Sequence, residues 1–120
     1  MLNVLAVDDS RTMRDLISAA LGDAGIDVRT AEDGLDGLAK LKDAIPDVII
    51  SDINMPNLDG FGFIEAVRSG SEAAAVPILV LSTESSAEFK MRAKSLGATG
   101  WIVKPFDPEK LAAAVRKVAG

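Results

Sequence analysis

Short apolar runs alternate with amphipathic stretches along the whole chain. Val4-Leu5-Ala6-Val7 stops at Asp8-Asp9, and Val48-Ile49-Ile50 runs through Ser51 into Asp52. Ile78-Leu79-Val80-Leu81 stops at Ser82-Thr83, and Trp101-Ile102-Val103 at Lys104-Pro105. Apolar runs this short, bounded by turn residues, read as strands buried on both faces. Asp27 to Ala31 is more polar and alternates, as an edge strand does. Between the runs, apolar residues recur at helical spacing. The stripes are Met13, Leu16, Ile17, Ala20 and Leu21; Leu35, Leu38 and Leu41; Phe61, Ile64 and Val67; and Leu111, Ala114, Val115 and Val118. A further helix is predicted from Ser85 to Leu96. Ser10 suits the N-cap of the first helix, Gly97 the C-cap of the fourth and Pro108 the first turn of the last. Gly22 and Gly25 end the first helix, the third closes near Gly70, and Gly34 and Gly37 predict that the second is weak. Residues 69–75 are small and polar and predict a mobile loop.

Strand and helix alternate five times. That pattern predicts an α/β fold, a parallel sheet with helices on both faces. Known doubly wound, flavodoxin-like sheets of five strands have the order 2-1-3-4-5, and by analogy with those folds the same order is expected here. It sets strands 1, 3, 4 and 5 side by side. Asp8-Asp9, Asp52, Ser82-Thr83 and Lys104 then share the carboxyl edge, where open α/β sheets bind ligands.

Composition narrows the chemistry. At 120 residues and 48% hydrophobic, the chain is one domain able to bury a core without a metal or disulfide staple. It has no Cys and no His, so any resident metal is a hard cation held by oxygens. The net charge of -5 argues against nucleic acid as a main partner. No apolar run approaches the ~20 residues of a membrane span. Met1-Leu2-Asn3 lacks the basic region of a signal peptide, so the expectation is a cytoplasmic domain without membrane insertion. Nothing in the sequence demands a dimer.

Three carboxylates meeting at one edge repel one another, and Mg²⁺ is the cation best suited to relieve them. Lys104 adds a positive charge and Ser82 a donor, which is what a phosphoryl group in transfer requires. Asp52 is the candidate nucleophile. Asp59 shapes the turn before Gly60, Met13 packs in the core and Met55 in the loop. Phe89 and Met91 lie ~200° apart around a helix, so they cannot both face the sheet.

Val7-Asp8-Asp9-Ser10, Asp52-Ile53-Asn54-Met55-Pro56 with Asp59-Gly60, Ser82 and Lys104-Pro105-Phe106 resemble the receiver domain of bacterial response regulators. The receiver is among the doubly wound folds with the order 2-1-3-4-5. Ser10-Arg11-Thr12-Met13-Arg14 is most similar to the single-domain chemotaxis type, which implies one receiver over 1–120 with no output domain. The resemblance implies that Asp52 accepts a phosphoryl group from a phosphohistidine on a partner histidine kinase and later loses it by hydrolysis. It implies that Asp8 or Asp9, Asp52 and the Asn54 carbonyl hold Mg²⁺. Ser82 and the Thr83 N–H would contact the phosphoryl oxygens and Lys104 would pair with them, with a cis Lys104–Pro105 bond. Trp101 stands where the family has a switch aromatic. The partner face is that of the fourth helix, fifth strand and fifth helix, with Phe89, Lys90 and Trp101. A flagellar motor switch protein is one implied target and a phosphatase a possible partner, while a phosphate sink or a relay intermediate is the alternative role.

Two rival readings come from other classes. A haloacid-dehalogenase-type phosphatase also uses an Asp nucleophile beside Mg²⁺, but needs a second Asp two residues later, where this chain has Asn54. A flavodoxin-like cofactor binder needs a phosphate loop where this chain has Asp8-Asp9.

Overall fold

The computed structural model describes residues 1–70 and 72–120. Strands and helices alternate as β1 (Asn3–Val7), α1 (Arg11–Asp23), β2 (Asp27–Ala31), α2 (Gly34–Asp43) and β3 (Val48–Ser51). They continue as α3 (Gly60–Arg68), β4 (Ile78–Ser82), α4 (Ala87–Leu96), β5 (Gly100–Val103) and α5 (Pro108–Ala119). All strand pairings are parallel and the order is β2-β1-β3-β4-β5. β3 and β4 are buried along their whole length, whereas the edge strands are only partly covered. One core layer joins Leu5, Val7, Ile49, Val80, Phe63 and Ile64. The other joins Val4, Ala6, Ile17, Leu21, Ile50, Leu81 and Leu111. Alternate residues of the central strands thus feed opposite faces, as the pleat requires.

Capping follows the sequence closely. Ser10 Oγ accepts from Met13 N, Gly97 sits in the left-handed region at the end of α4, and Pro108 opens α5 behind an Asp107 cap. Asp59 does more than shape a turn, since its carboxylate caps α3. Two stripe assignments fail. Leu16 is 50% exposed and Leu35 55% exposed, each about 100° from a buried neighbour.

The glycines of α2 also differ from expectation. Gly34 and Gly37 lie on its buried face, and a Cβ at Gly37 would lie 2.9 Å from Phe63 Cε1 and 3.1 Å from Val7 Cγ2. They let the helix approach the sheet. A Gly→Ala change in a helix ordinarily gains up to about 1 kcal/mol, but overpacking a closed core costs about 1–3. Gly37→Ala is therefore expected to lower stability by ~1 kcal/mol, and a higher urea midpoint for the variant would contradict this.

The loop expected at 69–75 includes Ser71, which lies outside the described residues. Its later part is anchored in a way its composition does not suggest. Ala73 is buried, and the Arg68 guanidinium donates to the Ala74, Val76 and Gly97 carbonyls. Burial pushes the Arg68 pKa below its ordinary value.

Candidate functional site

Strand register builds the site. Val7 pairs with Ser51 and Asp52 N donates to Val7 O at 3.0 Å, so the residues leaving β1 and β3 are neighbours at the carboxyl edge. Ser82 pairs with Val103, and Lys104 N donates to Ser82 O at 2.8 Å. The four segments predicted to meet do so. Asp8 and Ser82 are almost wholly buried, Asp52 is at the edge of burial, and Asp9, Asn54 and Thr83 face solvent.

Carboxylate oxygens of Asp8, Asp9 and Asp52 all lie within 4.8 Å of one another. Two unit charges about 4 Å apart repel by about 4 kcal/mol at an effective dielectric near 20, so the cluster needs positive charge. Lys104 supplies part of it. Its Nζ donates to Asp8 Oδ2 and Asp52 Oδ2, both at 2.9 Å. One ammonium against three acids leaves an excess of negative charge. The donor set is oxygen alone, which fits a hard divalent cation such as Mg²⁺.

The other oxygens of Asp52 and Asp8 are held by the backbone. Asp52 Oδ1 accepts from Ile53 N at 2.6 Å, and Asp8 Oδ1 from Ser10 N at 2.9 Å. Arg14 Nη1 donates to Asp8 O at 2.7 Å, a tie from α1 that sequence reading missed. Burial raises the Asp8 pKa, against the opposing pull of Lys104 and the Ser10 N–H. Burial would lower the Lys104 pKa, but its bonds to Asp52 and Asp8 outweigh that and hold it above the ordinary value. Lys104–Pro105 is cis, as expected.

A hydrogen-bond chain leads from the pocket to the fifth strand. Glu84 N donates to Ser82 Oγ at 3.2 Å, and Trp101 Nε1 donates to Glu84 O at 2.9 Å. Ser82 and Trp101 are thus joined through one residue. The indole is half-buried against the core, so its N–H has the partner that a large polar-tipped ring needs. On α4, Phe89 turns inward onto Phe61, with ring centroids 5.6 Å apart. The exposed apolar side chain on α4 is Met91, at 70%, while Phe89 is only partly exposed and Lys90 and Trp101 line one shallow depression.

Sequence reading also passed over Asp33 and Asn57. Asp33 is buried and caps α2, and Asn57 Nδ2 donates to its second oxygen at 2.7 Å. Two signals were available. Asp33 precedes a leucine stripe as an N-cap does, and a Pro-Asn pair marks a turn. Their pairing across 24 residues was not readable.

Residues 4–116 match the response regulator receiver domain family. The chain is 52% identical to the solved chemotaxis protein CheY4 of Vibrio cholerae, covering 98% of each chain with a TM-score of 0.93. It is 37% identical to a probable chemotaxis protein CheY of Rhizobium etli, over 99% of this chain and 93% of that one. It is 36% identical to protein PilG of Pseudomonas aeruginosa, over 96% of this chain and 85% of that protein.

Proposed function

Because this chain belongs to the response regulator receiver domain family, we propose that it is a chemotaxis-type signalling switch, activated by phosphorylation of Asp52. The observation that carries this reading is the acid cluster itself, with Asp52 beside Asp8 and Asp9 and bridged to Asp8 by Lys104. In the transfer, a carboxylate oxygen of Asp52 forms the new P–O bond while the N–P bond of a kinase phosphohistidine breaks. The electron pair of that bond stays on the donor imidazole, which must come from a partner since the chain has no His.

Asp8, Asp9, Asp52 and the Asn54 carbonyl would hold Mg²⁺, which when bound supplies charge neutralisation for the phosphoryl oxygens. Lys104 would exchange its Asp52 contact for a phosphoryl oxygen. The Ser82 hydroxyl and the Thr83 N–H would donate to the others. The reaction is a self-catalysed transfer and later hydrolysis at one aspartate. The proposed setting is the cytoplasm, with a chemotaxis-type histidine kinase as donor and a phosphatase as a further partner.

The output runs through Trp101 and α4. A Ser82 hydroxyl drawn toward the phosphoryl group disturbs the Glu84 peptide, and with it the carbonyl that holds the indole N–H. α4 suits a mobile role, since Ala93 is its one fully buried residue among those described. The face of α4, β5 and α5 then changes its affinity for a target, such as a flagellar motor switch protein.

Trp101 is the only Trp and there is no Tyr, so intrinsic fluorescence reports this site. Adding beryllofluoride to the Mg²⁺-loaded chain is expected to shift the emission beyond the effect of Mg²⁺ alone. Ser82→Ala should reduce that second shift. Unchanged emission and quencher access on activation would sink the aromatic switch. Multiple-turnover release of phosphate from varied monoesters would instead favour the phosphatase reading.

A further inference from the structure

The loop after Asp52 is pinned at two places. At its start, Ile53 N donates to Asp52 Oδ1 at 2.6 Å and Ile53 O accepts from Gly60 N at 2.8 Å. Further on, the head of α2 grips it. Asn57 Nδ2 donates to Asp33 Oδ2 at 2.7 Å, and Gly34 N donates to Leu58 O at 3.2 Å. Asn54, Met55 and Pro56 bridge these two fixed points. Asn57 has φ 68°, the one positive φ at a non-glycine residue among those described. Asn tolerates that conformation better than most residues, and the bond to Asp33 holds it there.

Asp33 is well suited as the fixed end. It is buried, and its other oxygen caps α2 by accepting from Asp36 N at 2.8 Å. The Asp36 N–H and then the Asn57 amide hold its carboxyl below the ordinary carboxylate range, so it stays an acceptor at neutral pH. Gly34 adds a steric requirement, since a Cβ there would meet Leu58 O at 2.6 Å. The two loops are therefore in direct backbone contact.

We infer that the Asp33–Asn57 bond is a latch that positions the Asn54 carbonyl, making both residues positioning groups for the cation at Asp8, Asp9 and Asp52. This rests on the Mg²⁺ reading above. With the bond in place, the bridging segment is held at both ends and its carbonyls are preorganised. Without it, the far end keeps only the 3.2 Å Gly34 N–Leu58 O bond, so the segment is held less firmly and ligand binding must order it further. Groups that orient metal ligands typically contribute about 10–100-fold to metal affinity.

The test is isothermal titration of MgCl₂ into the full chain, well below its unfolding temperature. Asn57→Gly removes the side chain while suiting the positive φ, so the fold is kept, which circular dichroism verifies. Its Mg²⁺ Kd is expected to rise about tenfold. The exchanged pair Asp33→Asn with Asn57→Asp keeps the net charge and reverses the direction of the bond. It is expected to return Kd to within roughly twofold of the natural chain. A purely structural latch would lower the melting temperature of Asn57→Gly and leave Kd unchanged, and that result overturns the inference. So does a weakened Asn57→Gly with no recovery in the exchanged pair. No binding by the natural chain would overturn the Mg²⁺ reading itself, which the two variant results leave intact.

Discussion

Asp52→Asn is expected to abolish phosphorylation, whether the donor is a cognate kinase or acetyl phosphate. The substitution is nearly isosteric. Its side-chain oxygen can still accept from the Ile53 N–H that now bonds Asp52 Oδ1. What disappears is the charge. A neutral amide is a poor nucleophile, and Lys104 loses one of its two carboxylate partners. The loss of one acid also relieves repulsion within the cluster, so the fold is expected to hold within about 1 kcal/mol of the natural chain. Intact-mass spectrometry with hydroxylamine treatment measures the acyl phosphate. Stoichiometric, hydroxylamine-labile phosphate on Asp52→Asn would remove Asp52 from its assigned role.

That prediction rests on a site whose main parts are legible in the sequence. Strand ends are legible because an apolar run must stop where burial stops. Asp8, Asp52, Ser82 and Lys104 each follow or close such a run. Once the strands are parallel, a shared edge follows from topology. Helix faces were less legible. Leu16 and Leu35 are apolar yet exposed, while Gly34 and Gly37 occupy the buried face of α2. Hydropathy alone does not mark that face, because α2 lies too close to Phe63 and Val7 for larger side chains.

Polar ties between distant segments were the least legible. Arg68 binding Gly97 O, and Asn57 binding Asp33, join residues 29 and 24 positions apart. No local period encodes such pairs. The Ser82–Glu84–Trp101 chain lies between these cases, because its ends were named from the family pattern while its middle residue needed geometry.

Lys104→Ala is expected to cost more stability than any other single change at the pocket. Its ammonium touches Asp8 and Asp52 at 2.9 Å, and its side chain is only 10% exposed. Removing one partner of a buried ion pair costs about 3–5 kcal/mol, because the remaining charge is left uncompensated. Two acids are left facing each other, but water entry and protonation of Asp8 recover some of that cost. The expected loss at pH 7 is about 2–3 kcal/mol.

The pH dependence gives this a sign. In the natural chain the Lys104 pKa lies above its ordinary 10.5. Its contribution is complete below that value and fades as pH rises through the folded-state pKa. The Asp8 pKa lies above its ordinary 3.8, so between that value and the folded-state pKa the folded state binds the extra proton. Stability contributed by Asp8 therefore falls as pH rises through that window. Without Lys104 the Asp8 pKa rises further and the window widens. The stability gap between Lys104→Ala and the natural chain should then be largest near neutrality and shrink as pH falls toward 4. Urea unfolding across that range, without divalent cations, measures the gap. A gap independent of pH would mean that Lys104 stabilises the pocket by packing its stem rather than by its charge.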